Sequence, residues 1–226
     1  MNSVKLIGVT KPTLKVEDDL NMSAEGLIAY CARVSSTNQN NPDTKKLLSY
    51  MVKNRHWSPF EMVNVVMEIE TTRDIARQIL RHRSFSFQEF SQRYAAVTEM
   101  SKPREARLQD QKNRQNSIET DNLGLAFDWI TVQNDLMRDA QNAYEWALEN
   151  GIAKEVARSV LPEGLTMSRM YMSGTLRSWI HYVDLRTGNG TQKEHREIAE
   201  ACKAILMKEF PFLEALWGED GYIPFA

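Results

Sequence analysis

The stretch Val63-Asn64-Val65-Val66-Met67-Glu68-Ile69-Glu70 alternates with a period of two. Val63, Val65, Met67 and Ile69 share one face, and Asn64, Val66, Glu68 and Glu70 take the other. Successive side chains of a strand point to opposite faces, so this is a strand with one buried side. Thr72 follows and can cap a helix whose apolar side is Ile75, Ala76, Ile79 and Leu80. Gln78 and Arg81, three apart, share another face of that helix.

Working outward, the same rules give mostly helices. Val4 to Val9 reads as a first strand. Ser23 caps a helix to about Val34, and Asp43 caps another to about Asn54. Leu125 to Leu148 is a long helix stopped by Gly151, with Leu125, Val132, Leu136 and Ala143 as its apolar stripe. Ala153 to Leu161 is a short helix ended by Pro162. In Thr175 to Leu185, Leu176, Trp179, Ile180 and Val183 go inward. Gln192 to Lys208 is the last long helix, before Pro211. Ser101 to Thr120 is polar and without period; it reads as a solvated, mobile loop, with a lid over a ligand as the functional alternative. The fold class is α+β: a single helix-rich domain over residues 1–226, with a mixed or antiparallel sheet flanked by helices.

Composition narrows the function. The 226 residues carry 28 Lys and Arg against 30 Asp and Glu, a net charge of −2. That balance argues against a polyanion binder, yet Arg73 to Arg114 holds ten basic and five acidic residues. A local excess of +5 suits a small anionic ligand held by a patch. Two cysteines, Cys31 and Cys202, fit a reducing compartment, and both sit in apolar helical patterns as small buried hydrophobes. No signal peptide or membrane-spanning run is visible, so the expectation is a cytoplasmic protein. There is no Gly-rich phosphate loop and no spacing for metal ligands, so no metal is expected.

The patch centres on Arg81-His82-Arg83-Ser84-Phe85-Ser86-Phe87-Gln88-Glu89-Phe90-Ser91-Gln92-Arg93-Tyr94. A core has no use for that density of donors, and a solvated face has none for those aromatics. Arginine forks suit bidentate recognition of phosphate, and hydroxyls add short bonds to the same oxygens. A nucleotide is the ligand these residues describe. Two cationic neighbours disfavour the charged form of His82, which reads as a neutral contact. Ser91 has no nearby base to make it a nucleophile and reads, with Arg93, as a hydrogen bonder. Tyr94 suits either core packing or ligand contact.

Arg81-His82-Arg83, seven residues, then Ser91 resembles the signature of the flavin-dependent thymidylate synthases, with Ser86, Glu89, Arg93 and Tyr94 also in step. Gln88 and Gln92 depart from it, standing where the family has Asn and Gly. Other segments agree. His56-Trp57-Ser58-Pro59-Phe60-Glu61 is similar to the family's His-x-Ser/Thr-Pro-Phe-Glu-His, with Met62 in place of the last His. Val156-Ala157-Arg158-Ser159-Val160-Leu161-Pro162 matches Val-Ala-Arg-x-x-Leu-Pro. Thr175 and His181 replace two Asn of the family's flavin segments, whereas Arg177, Leu185 and Arg186 carry over. Thr187 to Gly190 reads as an insertion, and Gln192 and His195 receive no assignment.

The resemblance implies an enzyme that makes dTMP from dUMP. Its one-carbon unit comes from methylenetetrahydrofolate and its reducing equivalents from NADPH, through FAD. It implies catalytic roles for Arg186, Ser91 and His56. It places dUMP against Gln78, Arg81, Glu89, Phe90, Ser91, Gln92, Arg93, Tyr94, Arg158 and Arg186. It places FAD against Ser35, Ser58, Arg81, His82, Arg83, Ser84, Gln88, Glu89, Thr175, Arg177, His181 and Leu185. It also implies a homotetramer with shared active sites and no nucleic-acid or membrane partner. Two rival readings are an inert nucleotide and flavin sensor, and a nucleic-acid-binding module with salt-dependent affinity.

Overall fold

A computed structural model of the chain describes residues 2–17 and 20–218. The expected strand is its centre. Strand β1 (Ser3–Val9) precedes a small hairpin of β2 (Lys15–Glu17) and β3 (Leu20–Asn21), then helices α1 (Ala24–Ala32) and α2 (Lys45–Lys53). A 3-10 turn at Ser58–Met62 leads into β4 (Asn64–Thr72), α3 (Arg73–Ile79) and β5 (Ser86–Glu89). A second hairpin, β6 (Arg107–Gln109) and β7 (Ser117–Glu119), precedes the long α4 (Leu123–Glu149) and the short α5 (Lys154–Ala157). Strand β8 (Met167–Thr175) then runs into α6 (Leu176–Thr187), followed by α7 (Lys193–Glu209) and α8 (Glu214–Trp217).

The main sheet has the order β1-β4-β8-β5 and is antiparallel throughout. The expected fold class therefore holds, with the antiparallel option realised. Strand β4 sits between β1 and β8, with Val65 opposite Gly174, Met67 opposite Met172 and Ile69 opposite Met170. Val63, Val65, Met67 and Ile69 are all fully buried, as the alternation requires. They meet Ile75 and Ile79 of α3, Trp179 and Ile180 of α6, and Ile198 of α7 in one core. Burying each such aliphatic side chain is worth about 1.5–3 kcal/mol. The other face carries a polar ladder, in which Arg169 holds Glu70 through Nη2 at 2.6 Å.

Several expectations need correction. The cap of α2 is Thr44, not Asp43; the Asp43 carbonyl is taken by Arg33, which also holds the Asn41 carbonyl. Strands β5 and β8 complete the main sheet where the sequence shows no clean alternation. The segment 101–120 is no free loop: it contains the β6–β7 hairpin, with Arg104 on Asp74 at 2.8 Å and Lys193 on Glu105 at 2.6 Å. Helix α4 turns an adjacent face inward, not the expected stripe. Its buried residues are Gln133, Ala140, Tyr144 and Ala147, whereas Leu125, Val132 and Leu136 are exposed, and so is Ala143. Only a small second cluster, Val97, Tyr144, Ala147 and Ala157, packs beneath it. Cys202 is buried as expected, but Cys31 is only half-buried.

Candidate active site

Strands β4 and β8 hold everything else in place. Each feeds directly into a helix: β4 into α3 at Thr72, β8 into α6 at Thr175, whose hydroxyl accepts from the Ser178 N–H. Because the two strands are antiparallel, α3 and α6 leave opposite ends of the pair; α7 packs against both helices, and the turn 80–85 packs on α6. Phe85 anchors that turn, its ring edge-on to Trp179 at 4.9 Å. A fully buried Trp179 donates Nε1–H to the Val65 carbonyl at 3.0 Å, fixing α6 on the sheet. Gly174 makes room, since a Cβ there would lie 2.5 Å from the Phe85 ring.

On this frame the turn after α3 presents Arg81 and Arg83 outward, exposed, with half-buried His82 between them. Arg186 reaches across from α6 and donates Nε–H to His82 Nε2 at 2.9 Å. The His82 ring stands edge-on to Tyr182 at 5.0 Å. Burial, the Arg186 guanidinium and His181 push the His82 imidazole down to about 4, so it is neutral near pH 7. Behind it lies His195 of α7, fully buried, pushed down to about 3 by burial, Arg186 and His82. His195 meets Tyr182 Oη at 3.2 Å and Gln78 Oε1 at 3.3 Å, and Gln78 Nε2 donates to Gln192 Oε1 at 2.7 Å.

A second group forms where α6 faces the 3-10 turn. A pocket of about 370 Å³ is lined by Trp57, Glu61, Ser84, Arg177, Ser178 and His181. Ser84, Arg177 and His181 are three of the residues that the resemblance assigns to flavin. Hydroxyls, a guanidinium and an imidazole against an indole wall fit a planar ring edged with hydrogen-bonding atoms. Arg177 donates to Glu61 there. Thr175 spends its hydroxyl as the α6 cap, and Leu185 is exposed on the last turn of α6.

A third group gathers on the turn after β5. Ser91 Oγ accepts from the Arg93 N–H at 3.3 Å, and Arg93 pairs with Glu155 of α5 at 3.1 Å. Lys154 Nζ donates to the Tyr94 carbonyl at 3.1 Å, which ties this turn to the helix that precedes Arg158. Tyr94 is 84% exposed, so the core-packing option is excluded. Phe90 is partly exposed and Gln92 buried, its Nε2 without a hydrogen-bond partner. Glu89 is a tether, accepting from Ser168 at 2.8 Å with Arg73 at 3.5 Å, while Gln88 beside it is exposed on β5.

Three expected residues stand outside these groups. His56 is exposed and packs edge-on to Tyr50 at 5.9 Å; Ser35 is exposed on the turn after α1. Ser58 opens the 3-10 turn next to Trp57. Sequence reasoning missed Glu61, Glu155 and His195 as site partners. His195 had a signal: it stands three and four residues before Ile198 and Ala199, on the buried stripe of α7. Glu61 and Glu155 had none, because their partners lie 116 and 62 residues away. Among the described residues no group of three His, Cys, Asp or Glu could hold a metal ion.

The chain resembles known proteins over most of its length. A family model described as thymidylate synthase complementing protein matches residues 19–212. A probable flavin-dependent thymidylate synthase of Paramecium bursaria Chlorella virus 1 is 54% identical over 211 residues, covering 92% of this chain and 95% of that protein. A flavin-dependent thymidylate synthase of Synechocystis is 52% identical over 212 residues, covering 94% and 97%. Among solved structures, a UMP/dUMP methylase from Streptomyces cacaoi bound with 5-Br UMP shares the fold, with a TM-score of 0.76 at 24% identity over 94% of this chain and 91% of that one. The chain belongs to the flavin-dependent thymidylate synthase family.

Proposed function

We propose that residues 1–226 act as one flavin-dependent thymidylate synthase domain that converts dUMP to dTMP, with methylenetetrahydrofolate and NADPH as co-substrates. The observation that carries this is the convergence of Ser84, Arg177 and His181 on one pocket, next to the Arg186–His82 bond. FAD, when bound, supplies the redox chemistry that the side chains lack. The chain's own groups bind and polarise. Arg81, Arg93 and Arg158 offer forks to the nucleotide phosphate, and Ser91 and Gln92 add hydrogen bonds. Gln92 Nε2, buried without a partner, is a donor in want of an acceptor. Arg186, held by His82, stabilises negative charge that develops on the pyrimidine. His82 stays neutral and accepts from Arg186. No thiol attacks the ring: the Cys202 thiol is buried and pushed far up by that burial.

The proposal includes a homotetramer with active sites shared between copies. Its support is the uncovered apolar stripe of α4, where Val132 is 56% and Leu136 51% exposed. A dinucleotide also extends beyond the Trp57–His181 pocket, so a neighbouring copy would complete the site. No described helix is long and apolar enough to cross a membrane, and the two cysteines are free, which supports the cytoplasm as the place of action. The test is direct. Purified protein reconstituted with FAD receives dUMP, methylenetetrahydrofolate and NADPH, and dTMP is followed by chromatography. Stoichiometric flavin with dTMP formed is the expected result. Flavin and dUMP binding without dTMP makes the chain a sensor, and absence of flavin overturns the reading.

A further inference from the structure

A pocket of about 690 Å³ lies between the β6–β7 hairpin, the start of α7 and α4. None of the residues assigned above to dUMP or FAD lines it. Arg104, Arg107, Arg114, Lys193 and Arg196 do, against the carboxylates of Glu105 and Glu119. Internal pairing consumes part of this charge. Arg104 holds Asp74 through two bonds of 2.8 Å, Arg107 donates to Glu194, and Lys193 holds Glu105 at 2.6 Å and Glu119 at 3.0 Å. These pairs pin the hairpin down and build the wall.

What they leave is specific. The Arg107 side chain is only 11% exposed, and its Nη1 is buried with no hydrogen-bond partner. A buried donor left unmatched is unfavourable, so the site has a place for an acceptor. The guanidinium groups of Arg114 and Arg196 have no carboxylate partner among the described residues. The first turn of α7 has no side-chain cap, because Gln192 spends its amide on Glu194 and Gln78. Its N–H groups add partial positive charge to the same pocket. The opposite wall is apolar: Trp129 and Leu125 of α4, both partly exposed.

We propose that this pocket binds a second anionic ligand of the reaction, a planar heteroaromatic that carries oxyanion groups. Its ring lies on Trp129, and its oxyanions pair with Arg107, Arg114 and Arg196. The inference rests on the proposed reaction, which needs two such co-substrates besides dUMP. NADPH offers phosphates, and the folate offers glutamate carboxylates; arginine forks bind either bidentately. Gln192 joins the pocket to the first group of site residues through Gln78. Occupancy of the pocket is thereby connected to the dUMP side by one side chain.

The test uses the flavin-loaded holoenzyme and an Arg114→Gln/Arg196→Gln double variant. Equilibrium dialysis measures NADPH, tetrahydrofolate, dUMP and inorganic pyrophosphate, the last as a bare oxyanion probe. The expected result is at least tenfold weaker binding of pyrophosphate and of one co-substrate, with dUMP affinity and flavin content unchanged, on the scale of about 1.4 kcal/mol. A loss confined to NADPH identifies phosphates, and one confined to tetrahydrofolate identifies carboxylates. Trp129→Ala weakens the same ligand, and the double Lys variant recovers part of the loss. Co-substrate affinities within twofold of the parent overturn the pocket assignment while leaving dTMP synthesis intact. An equal loss for dUMP also overturns it, as a general change of field. A protein with no flavin and no dTMP overturns the underlying reaction instead. Should the double variant lose flavin, Arg114→Gln alone, at an exposed hairpin position, carries the test with a threefold threshold.

Discussion

Mild acid should destabilise this protein through the two histidines behind Arg186. The perturbation is a shift from pH 7 to pH 5. His195 is fully buried and pushed down to about 3, and half-buried His82 is pushed down to about 4. Both folded-state values lie below the ordinary histidine value, so the unfolded chain binds more protons between about pH 6.5 and 4. Stability is then complete above that window and lost as pH falls through it. At pH 5 His195 alone withdraws about 2 kcal/mol, at about 1.4 kcal/mol per unit of pKa difference. His82, discounted for its exposure, withdraws about 1 kcal/mol. Asp184 acts the other way. Burial pushes its carboxyl up to about 6 against the Trp217 hydrogen bond, and protonation at pH 5 returns about 1 kcal/mol. Glu25, also pushed up by burial, shares that sign. The net loss is about 2 kcal/mol. Urea titrations at fixed protein concentration at pH 7, 6 and 5 measure it, and His195→Gln isolates the main contribution by flattening the slope by about 2 kcal/mol. A wild-type stability that stays level or rises toward pH 5, or a His195→Gln slope equal to the parent's, refutes the reasoning.

Other consequences are sharper at single residues. Gly174→Ala drives a Cβ to 2.5 Å from the Phe85 ring, so it should cost about 1–3 kcal/mol in a denaturant melt and lower flavin occupancy by moving the turn that carries His82. Arg93→Ala should weaken dUMP about ten- to hundredfold in a titration read by flavin absorbance, with FAD retained and Arg93→Lys rescuing only part; normal dUMP binding with lost FAD would assign Arg93 to the cofactor. Glu155→Gln frees the Arg93 fork and should leave dUMP binding equal or tighter; a tenfold loss would make the Arg93–Glu155 pair part of the nucleotide site. Cys31→Ser and Cys202→Ser should both form dTMP when folded and flavin-bound, and abolished turnover in either would require a thiol step.

How much of this was legible in the chain depended on where the burial came from. Strand β4 was readable because Val, Met and Ile alternate with Asn and Glu, and period two has no other reading there. Strand β8 is equally central but buries Ser168, Met170, Met172 and Gly174, a set with weak β propensity and little apolar contrast. Its burial is imposed by β4 and β5 on its two sides. Strand β5 was hidden inside the motif, whose polar residues described a ligand and said nothing of a sheet edge. The spacing put Arg81 on the face of α3 with Gln78, but α3 ends at Ile79 and Arg81 to Ser84 form the turn after it; Arg186 on His82 and Glu61 on Arg177 are contacts across the fold that no spacing encodes.

Helix α4 fails in the most informative way. Its existence and its stop at Gly151, with φ of +76°, follow from local rules. Its orientation does not, because both of its long faces carry apolar residues. Within one chain the smaller face, Ala140, Tyr144 and Ala147, finds the second cluster, with Tyr144 Oη accepting from the Val97 N–H at 3.1 Å. The face with Leu125, Val132 and Leu136 is left to solvent, and so is Phe127 on the far side of the helix. Hydrophobic periodicity reports that a face is to be covered and is silent on what covers it. Under the proposed tetramer the stripe read from the sequence is a buried face after all, supplied by a second copy. The same geometry then sets Trp129, on the wall of the basic pocket, beside that contact. Assembly and ligand binding at that pocket would share one helix.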